Sequence, residues 1–293
     1  MQTENKAWKE SFLTTNGVKL HCISQGEGSL MLMLHGFPEC WYSWRYQIPE
    51  FAQDYHVIAP DLRGYNESDK PQAVSAYTIN ELVEDVKGLI TGLGYDRCVL
   101  VGHDWGGAIA WQFAYAYPEM VERLIVMNLP HPAKFAEGLK TPQQLLRSWY
   151  IFFFQIPLLP EWLLQQDDYR AIGRAFTEMA VDKSAITEAD ERVYRNAAAK
   201  PGALTAMLNY YRQAFSELFK LNEKQWGVLD IPTLMIWGEQ DTALGKELTY
   251  GTDDYVSNLE IRYLPDASHW VQQEKPQRVN DYMREFLQES DHD

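Results

Sequence analysis

The sequence predicts an α/β protein: a mostly parallel, doubly wound sheet with a helical domain inserted between two of its strands. Three observations carry that prediction. Strand-like and helix-like runs alternate as far as Met127. From about Thr141 to Gln225, apolar residues recur at helical spacing with almost no β-type run. Strand signals resume at Thr233-Leu234-Met235-Ile236-Trp237. This divides the chain into a first core segment, 1–132, an insertion, 133–227, and a second core segment, 228–293. A length of 293 residues is enough for one large domain carrying an insertion.

The elements follow in order. Val18 to Ser24 alternates apolar and polar residues, as a half-buried strand does. Leu30 to Leu34 is apolar throughout, as in a central parallel strand, and His35-Gly36-Phe37-Pro38 breaks it. His56 to Ala59 is a further strand, stopped by Pro60-Asp61. Ile79 to Leu93 carries Ile79, Leu82, Val83, Val86, Leu89, Ile90 and Leu93 at helical spacing, with Gly92 and Gly94 at its exit. Arg97 to Val101 reads as a buried strand, Ala108 to Tyr117 as a helix, and Leu124 to Met127 as a strand. After Trp237 the pattern predicts a helix, then a strand over Leu259 to Leu264, then a helix from about Pro276 to Gln288. There is no internal repeat and no low-complexity segment.

Composition narrows the function classes. Hydrophobic residues make up 46% and charged residues 23%, as in ordinary globular proteins. A net charge of −15 argues against nucleic acid or an anionic membrane surface as partner. Many of the acids fall on predicted surface helices and in an acidic tail, Glu285 to Asp293. Cys22, Cys40 and Cys98 are odd in number and lack metal-ligand spacing, so neither a disulfide framework nor a metal site is expected. The start, Met1-Gln2-Thr3-Glu4-Asn5-Lys6, lacks the apolar core of a secretory signal. Trp149 to Leu164 is too short and too interrupted to span a bilayer. The expectation is a cytoplasmic protein, with no indication of its oligomeric state.

The chemistry concentrates at Gly102-His103-Asp104-Trp105-Gly106. Strand, tight glycine-flanked turn and helix form the setting of a nucleophile elbow, here with Asp in the nucleophile slot. A carboxylate is already ionised at neutral pH and needs no base to attack. Attack on an sp3 carbon yields an ester, whose carbonyl water can then attack. A serine would yield an inert ether. Asp104 therefore points to an alkylating substrate, such as an epoxide or an alkyl halide. In elbow hydrolases an acid and then a histidine follow the nucleophile along the chain. Asp241 follows a predicted strand in Trp237-Gly238-Glu239-Gln240-Asp241, with Glu239 as its rival. His269 follows the next, in Pro265-Asp266-Ala267-Ser268-His269. Ester hydrolysis also needs two N–H groups for the oxyanion. Trp105, directly after the nucleophile, and Phe37, in the turn after another strand, can supply them.

His35-Gly36-Phe37-Pro38-Glu39-Cys40-Trp41-Tyr42-Ser43-Trp44-Arg45 and Gly102-His103-Asp104-Trp105-Gly106-Gly107 resemble the soluble epoxide hydrolases of the α/β-hydrolase fold. The similarity extends through Asp61-Leu62-Arg63-Gly64-Tyr65, Asp241 and His269, and so covers nearly the whole chain. The resemblance implies a helical cap over the active site and two cap tyrosines that hydrogen-bond the epoxide oxygen. Tyr150 and Tyr211 take those positions, with Tyr210 one residue from the second. It also implies a water-positioning role for Glu39. The segment around Trp149 and Phe153 becomes the expected wall of the substrate pocket. No cofactor is implied, and the partners expected are a small epoxide and water. A haloalkane or haloacid dehalogenase on the same fold is the alternative. Phe37 in place of a halide-binding Asn, a residue other than Arg at 105, and the tyrosine pair favour the epoxide. A non-catalytic ligand-binding member of the fold is the remote alternative.

Overall fold

The computed structural model describes residues 8–221 and 226–288. The residues Met1–Lys6, the end of the expected helical stretch at 222–225, and the acidic tail beyond Gln288 lie outside the described residues. The sheet comprises β1 (Lys9–Thr15), β2 (Val18–Gln25), β3 (Ser29–Leu34), β4 (Tyr55–Pro60), β5 (Cys98–His103), β6 (Val121–Met127), β7 (Thr233–Gly238) and β8 (Leu259–Leu264). Its order is β1-β2-β4-β3-β5-β6-β7-β8. The β1–β2 and β2–β4 pairs are antiparallel, and every pairing from β4 to β8 is parallel.

The apolar run of β3 has a simple origin. Leu30, Leu32 and Leu34 face one apolar layer, and Met31 and Met33 face the other. Between β3 and β4 lies α1 (Gln47–Phe51); between β4 and β5, α2 (Ile79–Gly92); between β5 and β6, α3 (Trp105–Ala116). The chain passes from β3 outward to β4, then returns to the other side of β3 as β5. Ligands bind at such a reversal, outside the carboxyl ends of the strands.

The helices α4 (Pro132–Gly138), α5 (Pro142–Arg147), α6 (Trp149–Phe153), α7 (Leu159–Leu164), α8 (Gln166–Met179), α9 (Glu188–Ala198) and α10 (Ala203–Leu221) all fall between β6 and β7. After β8 come α11 (Val271–Glu274) and α12 (Pro276–Gln288). No helix among the described residues is long and apolar enough to cross a membrane.

Two elements differ from the sequence reading. β1 is an edge strand whose residues are mostly exposed, so it lacks the apolar alternation that marks a half-buried strand. The helix expected between β7 and β8 is absent from the described residues. Short 3₁₀ turns at Lys246–Thr249 and Thr252–Asp254 occupy that connection instead.

Candidate active site

Asp104 sits between β5 and α3 with φ +48° and ψ −122°, a conformation costly for a residue with a side chain. The turn has no room for anything larger than glycine at its contacts. A Cβ on Gly36 would collide with the Asp104 carboxylate, and one on Gly106 with the Leu34 carbonyl. The register pairs Leu34 of β3 with Gly102 of β5, which sets the two turns side by side. The Phe37 N–H then donates to Asp104 Oδ1 at 2.7 Å. The Trp105 N–H opens α3 directly beside the same carboxylate.

Asp104 Oδ2 faces His269 Nε2 at 3.5 Å, and His269 Nδ1 lies 2.6 Å from Asp241 Oδ2. Asp241 is held in turn by its surroundings. Ala243 and Leu244 donate their backbone N–H groups to Oδ1 at 2.8 and 2.9 Å. The Asn128 amide donates to Oδ2 at 2.8 Å, and its own oxygen accepts from the Gly238 N–H at 3.0 Å. Glu239, the rival acid, is instead bound to the Lys246 ammonium at 2.7 Å.

Burial alone would make both carboxyls harder to ionise. The hydrogen bond and charge of His269 outweigh it, helped at Asp104 by the Phe37 N–H and at Asp241 by Leu244 and Asn128, so both lie below the usual carboxylate range. His269 shows the converse. Burial pulls its basicity down, but the Asp241 and Asp104 carboxylates hold it well above an ordinary imidazole. The surroundings of each group thus favour its charged form, a protonated imidazole between two carboxylates.

Behind this line lies a second buried group. Glu39 Oε2 accepts from the Gly36 N–H at 2.8 Å and pairs with His103 Nδ1 at 2.8 Å. Glu39 Oε1 accepts from the Gln272 and Gln273 amides at 3.1 and 3.0 Å. His103 Nε2 donates to the His269 carbonyl at 2.8 Å. A carbonyl cannot donate, so Nε2 carries a proton.

Above Asp104 opens a cavity of about 160 Å³. Tyr150 and Tyr211 both line it. Burial, followed by the Asp104 charge, raises both phenols above their ordinary range, so each keeps its proton. The Trp105 and Tyr211 rings meet edge to face at 5.2 Å. Tyr210 also touches the cavity, but its hydroxyl donates to the Arg63 carbonyl at 2.7 Å.

The structure thus brings an acid in the elbow, a histidine and a second acid into line below a cavity lined by two phenols, and comparisons with known proteins give the family. A family model for the α/β hydrolase fold matches residues 29–276. Mouse epoxide hydrolase 4 is 43% identical over 282 residues, covering 94% of this chain and 77% of its own. Epoxide hydrolase 1 of Caenorhabditis elegans is 40% identical over 291 residues, covering 96% of this chain and 71% of its own. An epoxide hydrolase from Bacillus megaterium, solved with an inhibitor, superposes with a TM-score of 0.88 at 41% identity, covering 94% of this chain and 99% of that one. The chain belongs to the epoxide hydrolases of the α/β-hydrolase fold.

Two of the expected site residues of this epoxide hydrolase stand elsewhere than anticipated. Trp149 is 62% exposed and does not line the cavity. Phe153 packs against Trp149 and Phe154 and does not line it either. In α6, successive residues turn by about 100°, and Tyr150 and Ile151 take the inward positions. Glu39 is fully buried, and its two oxygens are engaged by the Gly36 N–H, His103 and the Gln272 and Gln273 amides, so it fixes the Phe37 turn. Sequence reasoning assigned no role to Asn128, His103 or the glutamine pair. A polar residue at the end of a strand was the available signal for the first two, since β6 ends at Met127 and β5 at His103.

Proposed function

We propose that this enzyme hydrolyses epoxides to vicinal diols through a covalent ester on Asp104. The observation that carries the reading is the convergence of two protonated phenols, Tyr150 and Tyr211, on the cavity floored by an ionised Asp104. Asp104 Oδ2 attacks one epoxide carbon. The carbon–oxygen bond breaks, and the oxygen takes a proton from a tyrosine. An alkoxide is a poor leaving group unless it is protonated in this way.

Alkylation changes the electrostatics of the site. The ester carries no charge, so one of the two carboxylates that hold the proton on His269 is lost. The imidazolium then returns a proton to the phenolate and becomes a neutral base. It removes a proton from water, which attacks Cγ of Asp104. The Phe37 N–H, already on Oδ1, and the Trp105 N–H receive the oxyanion. Collapse breaks the Cγ–Oδ2 bond, and the diol leaves with a proton from His269. Asp241, fixed by Asn128 and two backbone N–H groups, holds the imidazole in the required tautomer. The helices between β6 and β7 act as the cap that supplies the phenols and excludes water.

The test separates the two half-reactions. His269→Gln keeps the nucleophile and removes the base. Mixed with styrene oxide, it is expected to accumulate protein heavier by one substrate, with the added mass on the peptide holding Asp104. Intact-protein and peptide mass spectrometry read both. An unmodified protein, or an adduct on another peptide, contradicts the scheme.

A further inference from the structure

The cavity continues well past the reacting atoms. Helices α3 and α10 leave the site together. Trp105, at the start of α3, packs edge-on against Tyr210 and Tyr211 of α10, with centroids 5.4 and 5.2 Å apart. Farther along, Ala108 and Gln112 of α3 and Ala214, Phe215 and Glu217 of α10 line the same cavity. At about 1.5 Å of rise per residue, Gln112 lies roughly 12 Å beyond Asp104, and Glu217 roughly 9 Å beyond Tyr211.

The stretch between is apolar. The two alanines leave room, and Ile79, Leu129, Pro130 and Phe135 complete its sides. The hydroxyls that could add polarity are turned away. Tyr77 donates to the Pro71 carbonyl at 2.7 Å, and Tyr210 to the Arg63 carbonyl at 2.7 Å. Outside the reacting groups, polarity in the lining thus comes from Gln112 and Glu217, at the far end. No Lys or Arg is among the described lining residues. Among the described residues, Glu217 accepts from the Gln213 amide at 3.2 Å, a neutral donor, and pairs with no cation.

We infer that the substrates this site prefers are epoxides on an apolar arm of about 10 Å whose far end carries an ammonium group, held by Glu217. The length is that of the rise along the two helices. An arm ending in a carboxylate meets Glu217 as a like charge at the mouth of an apolar channel, where screening is weaker than in open water. This inference rests on epoxide hydrolysis at Asp104 and specifies its substrate.

The test uses three terminal epoxides that share one aryl–alkyl arm and end in methyl, ammonium or carboxylate. In the wild-type enzyme, kcat/KM is expected to fall in the order ammonium, methyl, carboxylate, by about fivefold at each step, as a partly screened charge pair gives. The difference should lie in KM, because the far end is bound equally in ground and transition states. In Glu217→Gln, with its fold checked by thermal melting, the ammonium-to-carboxylate ratio should drop to about twofold, a residue set by the overall negative charge. Equal turnover of ammonium and carboxylate arms overturns the inference, as does a preference that survives in Glu217→Gln. Failure to turn over any of the three arms, or styrene oxide, overturns epoxide hydrolysis itself and this inference with it.

Discussion

The two halves of the site are built differently. The half on the sheet is held by backbone. Asp104 is locked into a left-handed turn, Phe37 presents an N–H fixed by its neighbouring strand, and Asp241 takes two N–H groups and the Asn128 amide. The half on the insertion is held by side-chain packing. Tyr150 rides on the short helix α6, and Tyr211 meets Phe37, Trp105, Phe154 and Tyr150 ring against ring. Gln155 and Arg212 tie the two helices together through the Tyr211 and Phe154 carbonyls, at 3.3 and 3.1 Å. Around these contacts the insertion exposes much apolar surface, with Leu146 75%, Leu158 79% and Trp162 57% accessible. The lesson is a division of labour. In the proposed mechanism the bond-making groups sit where backbone fixes them, and the phenols that would meet the epoxide oxygen sit where side-chain packing places them.

The largest test of that division removes the phenols. In the double variant Tyr150→Phe/Tyr211→Phe, kcat is expected to fall by about 10²–10⁴, the usual worth of general acid catalysis. Each single variant should lose less, because the other phenol still donates. Tyr210→Phe sharpens the contrast. It leaves the buried Arg63 carbonyl without its donor and should cost about 1–3 kcal/mol of stability in denaturant unfolding, with kcat nearly kept. A double variant within a few-fold of wild type would remove the insertion from the chemistry.

A smaller effect comes from the sheet half. His269 is raised in the folded state, chiefly against burial, by Asp241 and Asp104. A raised basic group stabilises the fold fully below its unfolded value of about 6.5, and that contribution fades as pH rises through the folded value. Asp104→Asn removes one of the two charges. Titration of the His269 ring by NMR should then move to lower pH, and the loss of stability, which begins near the unchanged unfolded value, should be smaller and complete at lower pH. An unchanged titration would mean that Asp104 does not hold the proton on His269.

These two halves were also unequally legible in the sequence. Asp104, Asp241 and His269 could be placed because each follows a strand run, and strand ends converge at the carboxyl edge of a parallel sheet. Side chains on the insertion could not be placed the same way. An aromatic run such as Trp149 to Phe154 is compatible with several helical phases, and only packing against α10 selects Tyr150 and Ile151 as inward. Trp149 and Phe153 were misplaced for that reason. The bonds that hold Glu39 were illegible for a different one, since its donors at Gln272 and Gln273 are more than two hundred residues away in sequence. β1 was missed because an exposed edge strand carries no apolar alternation.

The smallest effect is expected at Trp149. It is mostly exposed and outside the cavity, so Trp149→Ala should leave kcat/KM for styrene oxide within about threefold, since surface substitutions usually shift energies by no more than about 0.5 kcal/mol. A large change would place the side chain against substrate after all.

The covalent ester on Asp104 is tested most directly by oxygen tracing. With enzyme in excess over styrene oxide in ¹⁸O water, one turnover should release a diol that is largely unlabelled, because its new oxygen is Oδ2 of Asp104. The label should appear in the Asp104 carboxylate, read by peptide mass spectrometry. Diol fully labelled in that first turnover, with Asp104 unlabelled, would mean that water attacks the epoxide itself and that Asp104 never bonds to substrate.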